Sequence, residues 1–132
     1  MIEKGIKGIG SVQVTSDNTA AAMGSGALDV FATPALVALI ENTAMRSIRS
    51  FLEEGQTTVG TLVNVKHIAA TPVGMTVRCE TELIEVDRRR LVFKAECYDD
   101  SGLVGEGVHE RFVVDAAKFM SKANAKSSPV AE

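Results

Sequence analysis

One long helix followed by four strand-like segments limits what this chain can fold into. Thr33 and Pro34 open an apolar helical pattern, because threonine is a good N-cap and proline suits the first helical position. The pattern runs to about Glu54 and stops at Gly55, a residue type that is common just beyond helix C-termini. The interval therefore predicts the principal helix of the domain.

The segments around this helix predict antiparallel strands joined by tight turns. Strand patterns occupy residues 57–70, 75–86, 90–98 and 103–114, with turn-forming residues at 71–74, 87–89 and 99–102. A weaker alternation predicts a short strand at 11–15, residues 16–27 resemble a loop, and 115–123 predict a last helical turn. This order indicates an α+β protein. It matches the hotdog fold, in which an antiparallel sheet wraps around one long central helix, although other α+β folds share it.

Composition narrows the class of protein. A chain of 132 residues fits a single domain, which we place at residues 1–123 with a disordered tail at 124–132. The net charge of -3 argues against a nucleic-acid partner, and no apolar stretch is long enough to span a bilayer. The N-terminus lacks the apolar core of a secretory signal, and the two cysteines have no CxxC spacing, so we expect a reduced, cytoplasmic protein. The scattered histidines and cysteines predict no metal site.

Glu41 stands out on the predicted helix because it lies among apolar positions. On a helical wheel it falls between Ile48 and Leu52, opposite the polar arc of the helix. A carboxylate in apolar surroundings is costly to ionise unless it has a partner, and such groups are over-represented at active sites. A glutamate at the helix edge that reaches water or pairs with an arginine is the structural alternative.

His67 is the second candidate. Alternation along the first long strand predicts that His67 faces the helix on the more apolar side, together with Val59, Thr61, Val63 and Val65. An inward histidine is more often a structural residue than a catalyst. Here, however, a neutral imidazole would accompany a hydroxyl and a carboxylate from the helix. These groups, with N–H donors at the helix N-terminus, are the parts that acyl transfer requires.

Several stretches in the same order resemble the fluoroacetyl-CoA thioesterase family of hotdog proteins. The resemblance covers residues 30–123 and is carried by VFATPALVALIENTAMRSI at 30–48, VGTLVNVKHIAATPVGMTV at 59–77, DRRRL at 87–91 and GEGVHERFVVDAAKF at 105–119. It implies hydrolysis of a short acyl-CoA thioester without a cofactor other than the CoA of the substrate. It also implies a homodimer at least, in which sheets join and active sites lie at the shared interface.

The resemblance also assigns roles to residues. The catalytic threonine, glutamate and histidine of the family fall on Thr33, Glu41 and His67, and its substrate contacts fall on Gly60 and Arg111. It implies a thioester carbonyl near Thr33 and the helix N-terminus, with His67 as general base. Glu41 would be either the nucleophile or the group that activates Thr33.

The chain departs from this family at residues 18–29. The fluoroacetyl-specific enzyme has a longer lid with an aromatic residue, whereas this segment is rich in small residues and has none. We therefore expect thioester hydrolysis, with another short or polar acyl group as a possible substrate. Three alternatives stay open: a hotdog acyl-CoA hydratase, a non-catalytic acyl-CoA binding module, and a structural domain without a ligand.

Two further features have competing interpretations. Arg88, Arg89 and Arg90 at a predicted hairpin turn suit CoA phosphates, but a solvated hairpin tip is the commoner reason for such a cluster. His109 shares a strand face with Arg111, and we rank it below His67 because no catalytic role in the family corresponds to it.

Overall fold

The central helix is shorter than its apolar pattern predicts. In this computed structural model, which describes residues 1–127, helix α2 spans Thr33–Ile48, and a 3-10 turn at Arg49–Phe51 follows it. Leu52 is already extended and packs against the core from there. As an apolar residue, Leu52 fitted the helical pattern and extended the predicted helix toward Glu54, although its backbone is not helical. Gly55 still has a positive φ of 82°, in the turn before the next strand.

The start of α2 differs from the prediction by one residue. The N-cap is Ala32, which is extended and makes no side-chain capping hydrogen bond. Thr33 and Pro34 are the first two helical residues. The prediction of Thr33 as N-cap is thus wrong, because capping depends on the backbone angles of a residue as well as on its type. The Thr33 hydroxyl is left free to contact another element.

Five strands form one antiparallel sheet in the order β1-β3-β4-β5-β2. They are β1 (Lys7–Gln13), β2 (Gln56–His67), β3 (Thr76–Asp87), β4 (Arg90–Asp99) and β5 (Gly102–Asp115). The four strands predicted after the helix are confirmed to within three residues at each end. The first strand lies earlier than residues 11–15 and is longer than predicted.

Shorter elements lie at the two flanks of this arrangement. A four-residue helix, α1 (Ala20–Met23), interrupts the predicted loop before α2. After β5 comes α3 (Ala116–Asn124), capped by the Asp115 side chain, and then a 3-10 turn at Ala125–Ser127. The predicted disordered tail is therefore helix or turn as far as Ser127, and residues 128–132 lie outside the described part.

The sheet wraps around α2, and the core lies between them. The helix contacts β1, β2, β3 and β5. One cluster of buried side chains surrounds its first half and includes Leu36 and Ile40, and a second cluster surrounds its last turns and includes Ala44 and Ile48. Among residues 1–127, no helix is long and apolar enough to cross a membrane.

A β-bulge in β2 changes which residues face the helix. The pairing with β5 shifts between Gly60 and Leu62, so Thr61 is the extra residue. Because an extra residue reverses the alternation, Val63, Val65 and His67 face inward after the bulge as predicted.

Before the bulge, the predicted face is wrong. Thr58 is buried there and Gly60 lies against inner side chains, whereas Val59 and Thr61 had been predicted to face the helix. The local sign of the insertion in the sequence of β2 is Gly60, because a glycine inside a strand often accompanies a bulge.

Glycine in β1 allows the strand to approach α2 closely. A Cβ atom added to Gly8 would lie 2.7 Å from Ser47 Cβ, 2.7 Å from Thr81 Oγ1 and 3.1 Å from the Thr43 carbonyl oxygen. Gly10 is in similar contact with the Thr43 side chain. Because Gly8 and Gly10 have no side chains, the edge strand β1 can lie directly against the helix.

We predict that Gly8→Ala lowers the free energy of unfolding by about 1–3 kcal/mol, because the added methyl group overpacks this contact. Urea denaturation followed by circular dichroism measures the change. Ser11→Ala on the exposed face of the same strand is the matched control and should change stability little. Equal stability of the two variants would show that the contact relaxes without cost.

Candidate active site

Thr33 and His67 meet where the helix begins and β2 ends. Thr33 is the first residue of α2, and His67 is the last residue of β2. Their side chains form a hydrogen bond, with 2.8 Å between Thr33 Oγ1 and His67 Nδ1. When the neutral ring carries its proton on Nε2, the Thr33 hydroxyl donates to Nδ1. This arrangement makes the hydroxyl oxygen more nucleophilic.

The surroundings of His67 keep the imidazole neutral. Desolvation by burial lowers its pKa below the ordinary value of 6.5. The Phe31 ring stands edge-on to the imidazole at a centroid separation of 6.4 Å. Nε2 is buried and has no hydrogen-bond partner among the described residues. A neutral ring in this position is suited to accept a proton near pH 7.

A small open cavity lies beside the threonine and histidine. Its volume is about 250 Å³, and Thr33 and His67 both line it. Ala20 and Ser25 line it as well, and they come from the small-residue segment 18–29. This small-residue segment thus forms part of the wall beside Thr33 and His67.

A second polar group surrounds Arg111 on β5. Its Nε donates to Thr58 Oγ1 at 2.8 Å, and its Nη2 donates to the Thr58 carbonyl oxygen at 2.9 Å. Nη1 lies 3.7 Å from Glu41 Oε2, and the side chains of Arg111 and Glu41 are 6% and 41% exposed. Glu41 thus has the arginine partner of the structural alternative, and its carboxylate also borders solvent.

Gly60 lets this group assemble. It pairs with Arg111 across β2 and β5. A Cβ atom at Gly60 would collide with the Glu41 carboxylate and lie 3.2 Å from Arg111 Nη1. The residue predicted as a substrate contact therefore lies next to both of its charged neighbours, and a side chain there would displace the carboxylate.

His109, which the sequence ranked below His67, is also a member of this group. It is fully buried, and its Nε2 lies 3.2 Å from Arg111 Nη1. Its pKa is lowered, first by desolvation and also by the charge of Arg111. Desolvation likewise lowers the pKa of Arg111, while Glu41 opposes that effect. The spacing of His109 and Arg111 on one strand face was the sequence signal for this contact.

The two groups are separate within one chain. Thr33 and Glu41 are eight residues apart on α2, which corresponds to about 12 Å along the helix axis. Glu41 is in contact with Arg111, not with Thr33 or His67. The structure therefore brings two of the three predicted catalytic residues together in one chain and places the third with the predicted substrate contacts. Among residues 1–127, no group of three or more His, Cys, Asp or Glu side chains is arranged to hold a metal ion.

The arginines of the β3–β4 hairpin do not form one basic patch. Arg90 pairs with Glu85 and Glu110 at 2.6 and 2.9 Å, and Arg89 donates to the Val113 carbonyl oxygen. Only the Arg88 side chain extends fully into solvent, at 92% exposure. Arg90 is thus paired with two carboxylates, whereas Arg88 and Arg89 remain exposed.

Comparison of the sequence with known proteins relates this chain to thioesterases. A sequence-family model described as fluoroacetyl-CoA-specific thioesterase matches residues 14–117. The fluoroacetyl-CoA thioesterase of Streptantibioticus cattleyicolor is 39% identical over 99 residues, which are 75% of this chain and 71% of that protein.

Solved structures agree as well. The fluoroacetyl-CoA thioesterase FlK superposes with a TM-score of 0.90 at 32% identity, covering 98% of this chain and 99% of the other. A Thermus thermophilus protein described as a thioesterase superfamily member gives 0.88 at 27% identity, covering 96% and 94%.

The fold and the hydrogen-bonded hydroxyl and imidazole define a thioesterase of the hotdog class. Within that class, the chain belongs to the fluoroacetyl-CoA-specific thioesterase family.

We predict that both histidines titrate below pH 6.5, because burial disfavours their charged forms. The chain has only these two histidines, so proton NMR resolves two imidazole titrations, and His67→Gln assigns them. The unfolded chain takes up protons at higher pH than the folded one. The free energy of unfolding should therefore fall between about pH 7 and about pH 5. A folded-state pKa at or above 6.5 for either ring would contradict this.

Proposed function

We propose that this protein hydrolyses the thioester of a short-chain acyl-CoA to the free acid and CoA, with Thr33, Glu41 and His67 as its catalytic residues. The observation that carries the proposal is the 2.8 Å hydrogen bond between Thr33 Oγ1 and His67 Nδ1 beside a small cavity. A hydroxyl paired with a neutral imidazole is a nucleophile with its base, or a pair that orients and deprotonates water.

The helix N-terminus supplies the electrostatic part of the mechanism. The backbone N–H groups of Thr33 and Ala35, in the first turn of α2, have no intrahelical acceptors. Pro34, which lies between them, has no N–H. These donors lie beside the Thr33 hydroxyl and would stabilise the oxyanion that forms when the thioester carbonyl is attacked. His67 takes the proton from the attacking oxygen, and CoA leaves as a thiolate that needs little acid assistance. Such a reaction needs water and no cofactor.

Glu41 completes the site if a second copy contributes it. β2 is an edge strand, so one side of its backbone is available to pair with another strand. Antiparallel pairing of two β2 strands in the register that sets His67 of one copy opposite Gly60 of the other would bring the imidazole toward Glu41, which lies against Gly60. The buried, unpartnered Nε2 of His67 would then have a carboxylate nearby. We therefore propose a homodimer at least, with two shared sites.

The acyl group should be short. The cavity beside Thr33 and His67 measures about 250 Å³, and its walls include Ala20 and Ser25. The S. cattleyicolor relative is named for fluoroacetyl-CoA. Residues 18–29 of this chain have no aromatic side chain to close over such a group. We propose acceptance of several short or polar acyl groups. We also place the enzyme in the cytoplasm, in keeping with the free thiols of Cys79 and Cys97.

We predict release of free CoA thiol from one or more members of a panel of short acyl-CoAs. Thr33→Ala, Glu41→Gln and His67→Ala should each lower kcat/KM by about 10²- to 10⁴-fold, because each removes a group that handles a proton or the nucleophile. A thiol-reactive chromophore follows the reaction.

Glu54→Gln on the exposed turn after the helix is the matched control for Glu41→Gln and should retain wild-type activity. Tight binding of acyl-CoA without thiol release would identify a binding module instead. Hydration of an enoyl-CoA without thiol release would identify a hydratase. Either outcome overturns the proposed hydrolysis.

We further predict that two inactive variants restore activity when combined. In a mixed dimer of Glu41→Gln and His67→Ala, one shared site has both residues intact and the other has neither. Refolding an equal mixture should therefore recover about a quarter of wild-type activity, since half of the dimers are mixed. Absence of recovery, with mixed dimers demonstrated by mass spectrometry, would place each site within a single chain.

A further inference from the structure

The fully buried His109 has no part in the proposed proton transfers, yet its contacts are specific. Nδ1 lies 2.8 Å from the Leu62 carbonyl oxygen. A carbonyl oxygen only accepts hydrogen bonds, so Nδ1 carries a proton and donates it. Nε2 lies 3.2 Å from Arg111 Nη1, and a guanidinium only donates. His109 is thus held as a neutral ring with its lone pair directed at Arg111.

These contacts fix the Arg111 guanidinium on three sides. Thr58 accepts from Nε and Nη2 through its hydroxyl and its carbonyl oxygen, and His109 accepts from Nη1. Arg111 Nη1 also lies 3.7 Å from Glu41 Oε2. His109 Nε2 is thus within hydrogen-bonding distance of Nη1, whereas Glu41 Oε2 lies beyond that distance.

The β-bulge in β2 is part of the same arrangement. Its shift lies between Gly60 and Leu62, and the Leu62 carbonyl oxygen is the acceptor for His109. Gly60, on the other side of the bulge, provides the space that the Glu41 carboxylate occupies. The β-bulge therefore lies between the acceptor for His109 and the glycine that leaves space for the Glu41 carboxylate.

We propose that His109 is a positioning residue for catalysis: through Arg111 it fixes the Glu41 carboxylate that serves the thioesterase site. The inference rests on the proposed function for the role of Glu41, but the contact from His109 to Arg111 is testable without any substrate. A purely structural role would require only that the ring fill space against Phe93, whose ring is stacked with it at 6.2 Å.

The protonation state of His109 also affects the expected pH dependence of activity. The charged groups that act on His109 are Arg111 and Glu110 on β5 and Glu41 on α2, while β2 offers the Leu62 carbonyl oxygen and β4 offers Phe93. Protonation of Nε2 would turn an acceptor into a second cation facing Arg111. As pH falls, activity should therefore be lost through two ionisations, at His67 and at His109.

Two amide variants separate the two ring nitrogens. His109→Gln can place an acceptor near the position of Nε2, whereas His109→Asn can keep the donor to the Leu62 carbonyl oxygen but does not reach Arg111. We expect kcat to fall about 10- to 100-fold in His109→Asn, as for loss of a hydrogen bond to a charged group. In His109→Gln, the decrease in log kcat should be less than half of the decrease in His109→Asn. The acid limb of kcat/KM should change from a slope of two to a slope of one in His109→Gln.

A measurement on the free protein keeps the inference testable if no acyl-CoA is hydrolysed. In ¹⁵N-resolved NMR, the Arg111 Nη1–H signals should be protected from exchange in the wild type and in His109→Gln, and should exchange faster in His109→Asn, because Nη1 is the donor to His109. Equal exchange in both folded variants would overturn the role of His109 at Arg111. Equal kcat losses in both variants, with the wild type active, would overturn its role in catalysis and leave the proposed hydrolysis standing.

Discussion

The burial of one face of α2 against a curled sheet is the constraint on which the rest of this structure depends. Leu36, Ile40 and Ile48 on that face are fully buried, so any polar group that shares it must find a partner in the sheet. Thr33 finds His67 at the end of β2, and Glu41 lies beside Arg111 on β5. The polar chemistry of the site thus follows from where the helix lies on the sheet.

Much of this could be predicted from sequence, because it rests on periodicity and on short turns. Helix and strand patterns identified α2 and the four following strands, and alternation placed His67 on the inner side. The helical wheel placed Glu41 among apolar positions, whereas its side chain is 41% exposed beside Arg111. The pattern of apolar side chains does not, however, determine the backbone conformation at the ends of a helix. It therefore assigned the N-cap to Thr33 instead of Ala32 and continued the helix through Leu52, which is extended.

The bulge at Thr61 is the clearest case in which sequence alternation does not predict which face of a strand a residue lies on. Inward and outward residues exchange there, and the residues before it had been assigned to the wrong face. The irregularity is defined by pairing with β5, a strand more than forty residues away in the chain, and its local sign in β2 is Gly60 next to it. The contact of His109 with the Leu62 carbonyl oxygen likewise depends on this pairing, so alternation within β5 does not predict it.

The separation of the two polar groups follows from helix geometry. Residues eight apart on a straight helix lie about 12 Å apart along its axis however the sheet curls. The proposed homodimer would bridge this separation, because Glu41 of one copy would serve Thr33 and His67 of the other. The free edge of β2 lies between the two groups, with His67 at its end and Gly60 near its middle. A strand that joins two subunits there would also bring a buried, partnerless nitrogen of His67 toward a carboxylate that Arg111 and His109 already hold.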